Sequence, residues 1–142
     1  IIKVLKQAKE EFVEIYVTGS QSLHGTITSI RDNYFVFHSP IYKEMYIALN
    51  HLKWLIPNSK NQKPYGLDDH NFLVQTNNES LASTFESQVG NFKNKLVVFN
   101  IGEKKKHIGK INNVENQIVE IQTAKTYPIY LNLSHIKTLH QV

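Results

Sequence analysis

Apolar and polar positions alternate along several short stretches of this chain, and they do so twice. Val13, Ile15 and Val17 alternate with Glu14 and Tyr16, the period of a half-buried strand. Val97, Phe99 and Ile101 keep the same spacing 84 residues later. At that offset residues 13–57 lie on residues 97–141 without a gap. Eight positions are identical: Val13/Val97, Gly25/Gly109, Ile27/Ile111, Tyr46/Tyr130, Leu49/Leu133, His51/His135, Lys53/Lys137 and Leu55/Leu139. The match is densest where YIALNHLKWL (46–55) faces YLNLSHIKTL (130–139). A fixed-offset match of this kind is the mark of an internal duplication.

The two copies define each other's strand faces. Phe35 and Phe37 match Val119 and Ile121, and Ile47 and Leu49 match Leu131 and Leu133. Asn50-His51 and Ser134-His135 read as tight turns. A last short strand follows each turn, with Leu52/Ile136 and Leu55/Leu139 pointing inward. Gly25 and Gly109 fall in mid-strand, where glycine marks a sharp bend or a close backbone approach. A helical pattern precedes each copy. Leu81, Phe85, Val89 and Phe92 follow a capping-box sequence at Thr76–Glu79, and their first-copy counterparts begin at Ile1, Leu5 and Ala8. The stretch from Pro57 to Asp69 is polar and turn-rich, and residues 71–75 are a candidate edge strand. The expected fold is mainly β: two tandem five-stranded small barrels, each preceded by an α-helix. They span 1–57 and 76–142, with a linker at 58–75.

Composition changes this picture little. A hydrophobic share of 41% with 20% charged residues fits a folded globular chain rather than a disordered one. No apolar run approaches the ~20 residues of a membrane span, and no signal-peptide pattern is present. The chain opens on Ile1-Ile2 rather than Met, so an upstream segment is expected. The formal charge of +4 falls entirely in residues 85–142, with eight Lys against four Glu. That excess permits an anionic partner without demanding one.

The chain has no cysteine, and its seven histidines show no HExxH or other metal-ligand spacing. Paired carboxylates, a nucleophile with a base, and a phosphate loop are all missing. The nearest acid/base cluster, Asp68-Asp69-His70, sits in the linker and has no counterpart in the other copy. The expectation is a protein that is not an enzyme, with no cofactor and no catalytic or metal residues. Candidate interaction residues are the run Lys104, Lys105 and Lys106, and the twice-written His51 and His135. Each has a plainer reading: a solvated hairpin tip for the lysines, and turn residues bonding nearby backbone for the histidines. Tyr34, Tyr42, Trp54 and Tyr65 are candidates for stacking on bases or for cross-strand packing.

A helix, five strands with a glycine in the bent second strand, and an apolar-turn-apolar closing motif resemble the Sm-like (Hfq-like) barrel. More closely, the chain resembles the spore coat protein B family of Bacillus-type spore formers. The residues carrying this are FESQVG (85–90), Gly109-Lys-Ile111, and the Tyr-x-x-Leu-x-His-[Leu/Ile]-Lys-x-Leu motif at 46–55 and 130–139. That family carries a Gly-Gly-Pro-Glu type loop where this chain has Thr18–Ser22 and Gly102–Lys106. The resemblance implies a structural or interaction module of a spore coat. Its expected partners are other coat proteins and further copies of itself, and its expected place is the coat, otherwise the cytoplasm. The Sm-like resemblance implies a second possibility, single-stranded RNA held by the loops after the second and fourth strands. Those loops contain Arg31, Asp32 and Asn33 with Glu115, Asn116 and Gln117, and Asn50-His51 with Ser134-His135. Hfq-type barrels have a Lys before that His, whereas Asn50 and Ser134 stand here.

Overall fold

The computed structural model describes residues 2–19, 22–57 and 81–142. The expected linker, the 71–75 strand, the 76–79 capping box, Tyr65 and Asp68–His70 lie outside the described residues. The first half comprises α1 (Ile2–Ala8), β1 (Phe12–Tyr16), β2 (Ser22–Ile30), β3 (Tyr34–Ser39), β4 (Lys43–Ala48) and β5 (Trp54–Pro57). The second comprises α2 (Phe85–Gly90), β6 (Leu96–Phe99), β7 (His107–Glu115), β8 (Ile118–Gln122), β9 (Pro128–Asn132) and β10 (Thr138–Gln141). A single 3-10 turn, Leu49–His51 or Leu133–His135, precedes the last strand of each half, at the two places where the sequence predicts a tight turn. The helix α2 is shorter than the apolar spacing from Leu81 predicts. It starts after Thr84, whose hydroxyl accepts a bond from the Ser87 N–H at 3.3 Å.

The chain is mainly β, but it does not close into two barrels. Its ten described strands form one open antiparallel sheet in the order β5-β1-β2-β3-β4-β10-β6-β7-β8-β9. The physical reason lies at one seam. The outer edge of β4 pairs with β10, the last strand of the other half, in the register Ile47↔Thr138, Tyr46↔Leu139 and Met45↔His140. Backbone N–H and C=O groups that would otherwise line two bare edges are thereby satisfied.

Pairing within the halves follows one scheme at an offset of 84. Val13 faces Gly25 as Val97 faces Gly109, and Thr26 faces His38 as Lys110 faces Gln122. The register slips between Ile27 and Ser29 in one half and between Ile111 and Asn113 in the other. Glu10 and Asn94, also equivalent, share a left-handed backbone with φ of 69° and 70°.

The seam also explains the core. Phe35, Phe37, Met45 and Ile47 pack into a cluster made by the first half, with Leu5, Val13, Ile15 and Ile27. The alternate residues of the same strands, Tyr34, Val36, Tyr46 and Ala48, join the core of the second half. There the Phe85 ring lies 6.0 Å from Tyr34 and the Phe92 ring 5.1 Å from Tyr46. Strands β3 and β4 are therefore covered on both faces, consistent with their unbroken apolar runs YFVF and MYIA. Covering one such large side chain contributes on the order of 1.5–3 kcal/mol.

Gly25 and Gly109 mark close approach. A Cβ built on Gly25 would run into the backbone carbonyl oxygen of His38, and one on Gly109 would sit 2.6 Å from that of Gln122. Both obstacles are backbone of the paired strand, so neither can swing aside. Gly25→Val and Gly109→Val are each expected to destabilise the fold by more than about 1 kcal/mol. Urea unfolding checks this, and an unchanged midpoint in both would show that the strands can part at no cost.

The seam buries a titratable group. His140 on β10 is buried, its Nδ1 has no hydrogen-bond partner, and its ring lies 5.3 Å from Tyr42. Burial holds its pKa below the ordinary 6.5. His38 is lowered as well, through burial first and Lys43 second. A histidine with a depressed folded-state pKa contributes stability that is full above the unfolded value and is lost as pH falls. The melting temperature should therefore hold above pH 6.5 and drop below it. His140→Phe should flatten that decline, and parallel melting curves for the two proteins would refute a role for His140.

Candidate functional site

Four turns meet beside the seam. The β2–β3 turn is closed by the Arg31 N–H donating to the Tyr34 carbonyl at 2.8 Å, and it projects Asp32 and Asn33. The β7–β8 turn is made by Asn116 and Gln117, with φ of 52° and 67°. Each is tied to the 3-10 turn of its own half in the same way. The Leu49 N–H donates to the Asn33 carbonyl at 2.9 Å, and the Leu133 N–H to the Gln117 carbonyl at 2.8 Å. Between them opens a cleft of about 500 Å³ lined by Asp32, Asn33, Ala48, Leu49, Asn50, Phe85, Gln117, Leu133 and Ser134.

Helix α2 is fastened to this cleft by side chains of both halves. The Phe85 N–H donates to Asn33 Oδ1 at 2.7 Å, and Gln117 Nε2 donates to Glu86 Oε2 at 2.6 Å. Beneath, the Tyr34 hydroxyl donates to the Ala82 carbonyl and lies 3.3 Å from Gln88 Oε1, while burial pushes its pKa up to about 12. Asn132 Oδ1 accepts from the backbone N–H and the hydroxyl of Ser134, at 3.0 and 2.8 Å. The cleft thus offers amides, a hydroxyl and one carboxylate over an apolar floor of Leu49, Leu133, Ala48 and Phe85. Its lining holds one acid and no base, which suits hydrogen bonding rather than proton transfer. Among the described residues no group of three or more His, Asp or Glu side chains is placed to hold a metal ion.

The sequence candidates do not gather in one place. His51 reaches across the seam, its Nε2 lying 2.7 Å from the Ser134 carbonyl, so it bonds the backbone of the opposite half's turn. The equivalent His135 is exposed, and its carbonyl accepts from Asn100 Nδ2 at 3.1 Å. Arg31 is half-buried beside the cleft but not among its lining residues. Lys104, Lys105 and Lys106 are exposed in the β6–β7 connection and line no part of the cleft. Among the aromatics, Tyr34 is fully buried and Tyr42 rests on His140, while Trp54 stacks on Tyr16 at 4.6 Å. Tyr34 is thus a core residue, unavailable for stacking on a base. The anchoring contacts of Phe85 and Gln88 escape sequence reasoning because their partners, Asn33 and Tyr34, come from the other half, whereas Glu86 is held by Gln117 of its own half. The available signal was the equivalence of Asn33 and Gln117 in two matching turns.

Asn33→Ala should cost about 1 kcal/mol by leaving the first N–H of α2 unpaired. Asn50→Ala, on the exposed wall of the cleft, should stay within about 0.5 kcal/mol of the parent. Equal losses in chemical denaturation would mean that the Asn33 bond is not what anchors the helix.

Comparison with known proteins yields two relatives and one family model. Residues 84–139 match the family model described as the YwrJ third domain. The chain is 38% identical over 136 residues to the "Uncharacterized protein YwrJ" of Bacillus subtilis (strain 168), covering 96% of this chain and 60% of that protein. It is 24% identical over 135 residues to Spore coat protein B of the same strain, covering 95% of this chain and 33% of that protein. The chain therefore spans 60% of the length of one relative and 33% of the other. No solved structure matches significantly. The sequence resemblance to spore coat protein B is thus borne out as a distant relationship to a Bacillus spore-coat protein.

Proposed function

We propose that this chain is a structural module of the spore-coat type, working through protein–protein contacts and carrying out no catalysis. The observation that carries the reading is the similarity to Spore coat protein B along 95% of the chain. The physical character of the molecule supports it. Its described residues form a single sheet, and large apolar side chains stand exposed on the strands at both ends of that sheet. Exposed apolar surface of this kind on an edge strand suits assembly. Within this reading the halves are two copies of one Sm-like unit, supported by the shared pairing scheme at an offset of 84. Among the described residues no helix is long and apolar enough to cross a membrane.

A second reading, binding of single-stranded RNA, has one observation in its favour. The loops that the Sm-like resemblance points to line a common cleft. A titration with U-rich and A-rich RNA at rising salt addresses it, since real phosphate contacts weaken steeply with ionic strength. The coat reading is tested by a fluorescent fusion expressed through sporulation in Bacillus subtilis. The expected result is a signal that collects on the developing spore surface. A signal that stays diffuse in the mother cell would overturn the reading.

A further inference from the structure

The outer face of the first half carries side chains that neither the core nor the cleft uses. On β1, Val13 and Ile15 point into the core, so Phe12, Glu14 and Tyr16 share the opposite face. Strand pairing extends that face on both sides. Tyr16 stands opposite Trp54, Glu14 lies between Ile56 and His24, and Phe12 is in a row with Thr26, His38 and Glu44. The Tyr16 and Trp54 rings stack with centroids 4.6 Å apart, and Phe12 stacks on His24 at 6.4 Å. Glu14 Oε1 lies 3.3 Å from His24 Nε2. Trp54 is 51% exposed and Ile56 45%, while Phe12, Glu14, Tyr16 and His24 are half-buried.

Two observations separate this platform from ordinary strand packing. The shared fold does not require it. At the offset of 84, Phe12, Glu14 and Tyr16 correspond to Leu96, Val98 and Asn100, His24 to Ile108, and Trp54 to Thr138. The second half thus keeps the same pairing with no aromatic ring and no carboxylate at these positions. The second observation is charge. The titratable groups that the strands place on this face are Glu14, Glu44, His24 and His38, with no Lys or Arg among them. Carboxylates beside open rings attract a cation and repel phosphate, which argues against a nucleic acid here.

We propose that the outer face of β5, β1 and β2 docks an arginine-bearing segment of a partner protein, its guanidinium lying on the Tyr16–Trp54 stack and pairing with Glu14. A guanidinium is planar and weakly hydrated, so it can lie flat on a ring and bond a carboxylate at once, whereas a compact, strongly hydrated ammonium does so less well. The platform rests on the protein–protein reading above for the kind of partner, but its chemistry comes from these side chains alone.

Trp54 is the single tryptophan of the chain, so its emission reports on the platform directly. Titrating the whole chain with an end-capped peptide of alternating Arg and Gly should change that emission to saturation. The matching Lys–Gly peptide should bind several-fold more weakly. Glu14→Gln keeps the shape and removes the charge, and it should weaken the Arg peptide several-fold. Glu115→Gln changes the net charge equally at an exposed site of the second half and should leave binding unaltered. Trp54→Ala, followed by the anisotropy of labelled peptide, should weaken binding as well and serves if Glu14→Gln does not fold. Equal weakening by Glu14→Gln and Glu115→Gln would reduce the effect to general charge attraction and overturn the platform. An emission change with cellohexaose or U-rich RNA but not with the Arg peptide would overturn it in favour of that ligand. No response to the Arg peptide in emission or anisotropy would also overturn it, while a coat location of the fusion would still stand. Peptide binding that follows Glu14 and Trp54 alongside a diffuse fusion would support the platform and sink only the coat reading.

Discussion

Backbone hydrogen bonds between β4 and β10 hold the two halves of this molecule together. Five-stranded units with bare fourth and fifth strands would present two edges each, and the seam removes one of each kind. It also decides the core. With β10 alongside, the outer faces of β3 and β4 lie under the second half, and Tyr34, Val36, Tyr46 and Ala48 fill its interior. Removing the seam would expose these side chains and uncover the floor beneath α2. The seam therefore couples backbone pairing, aromatic packing and helix placement.

Close strand approach is the second constraint, and it operates within each half. Gly25 and Gly109 let the second strand of each half press against the third, where any side chain would meet a carbonyl oxygen. The register slip a few residues further on, at Ile27/Ser29 and Ile111/Asn113, adds bend and twist to the same strand. Bent second strands bring the turns at their ends toward the 3-10 turns, and four turns then meet at one cleft. Its groups are mostly committed to holding α2 and the turns in place, which favours a structural role for the region over a reactive one.

A coat-type module must combine a rigid body with surfaces that meet neighbours. In the coat role proposed above, the continuous sheet would be the rigid body and its two ends the surfaces that meet neighbours. Trp54 and Ile56 stand at one end and Ile118 and Tyr130 at the other. An apolar side chain left exposed singly needs no explanation, but clusters at both ends of one sheet do.

Much of this was legible in the sequence. Period-two alternation identified the strand faces, because a half-buried strand must alternate whatever it packs against. Equivalence at offset 84 located the paired glycines and the turns at 50–51 and 134–135, since local backbone geometry is dictated by local residue types. The distant relationship to spore coat protein B also rested on residues alone. The pairing that joins the two halves into one open sheet was not legible. Every strand edge offers the same backbone donors and acceptors, so no residue in β4 announces whether β5 or β10 will pair with it. The runs YFVF and MYIA held a trace of the answer, for the equivalents IVEI and IYLN are broken by Glu120 and ended by Asn132. That trace says only that β3 and β4 are covered on both sides. Which element covers them, and hence that Tyr34 is core and that His51 bonds across the seam, depends on distances between residues far apart in sequence, which only the folded chain fixes.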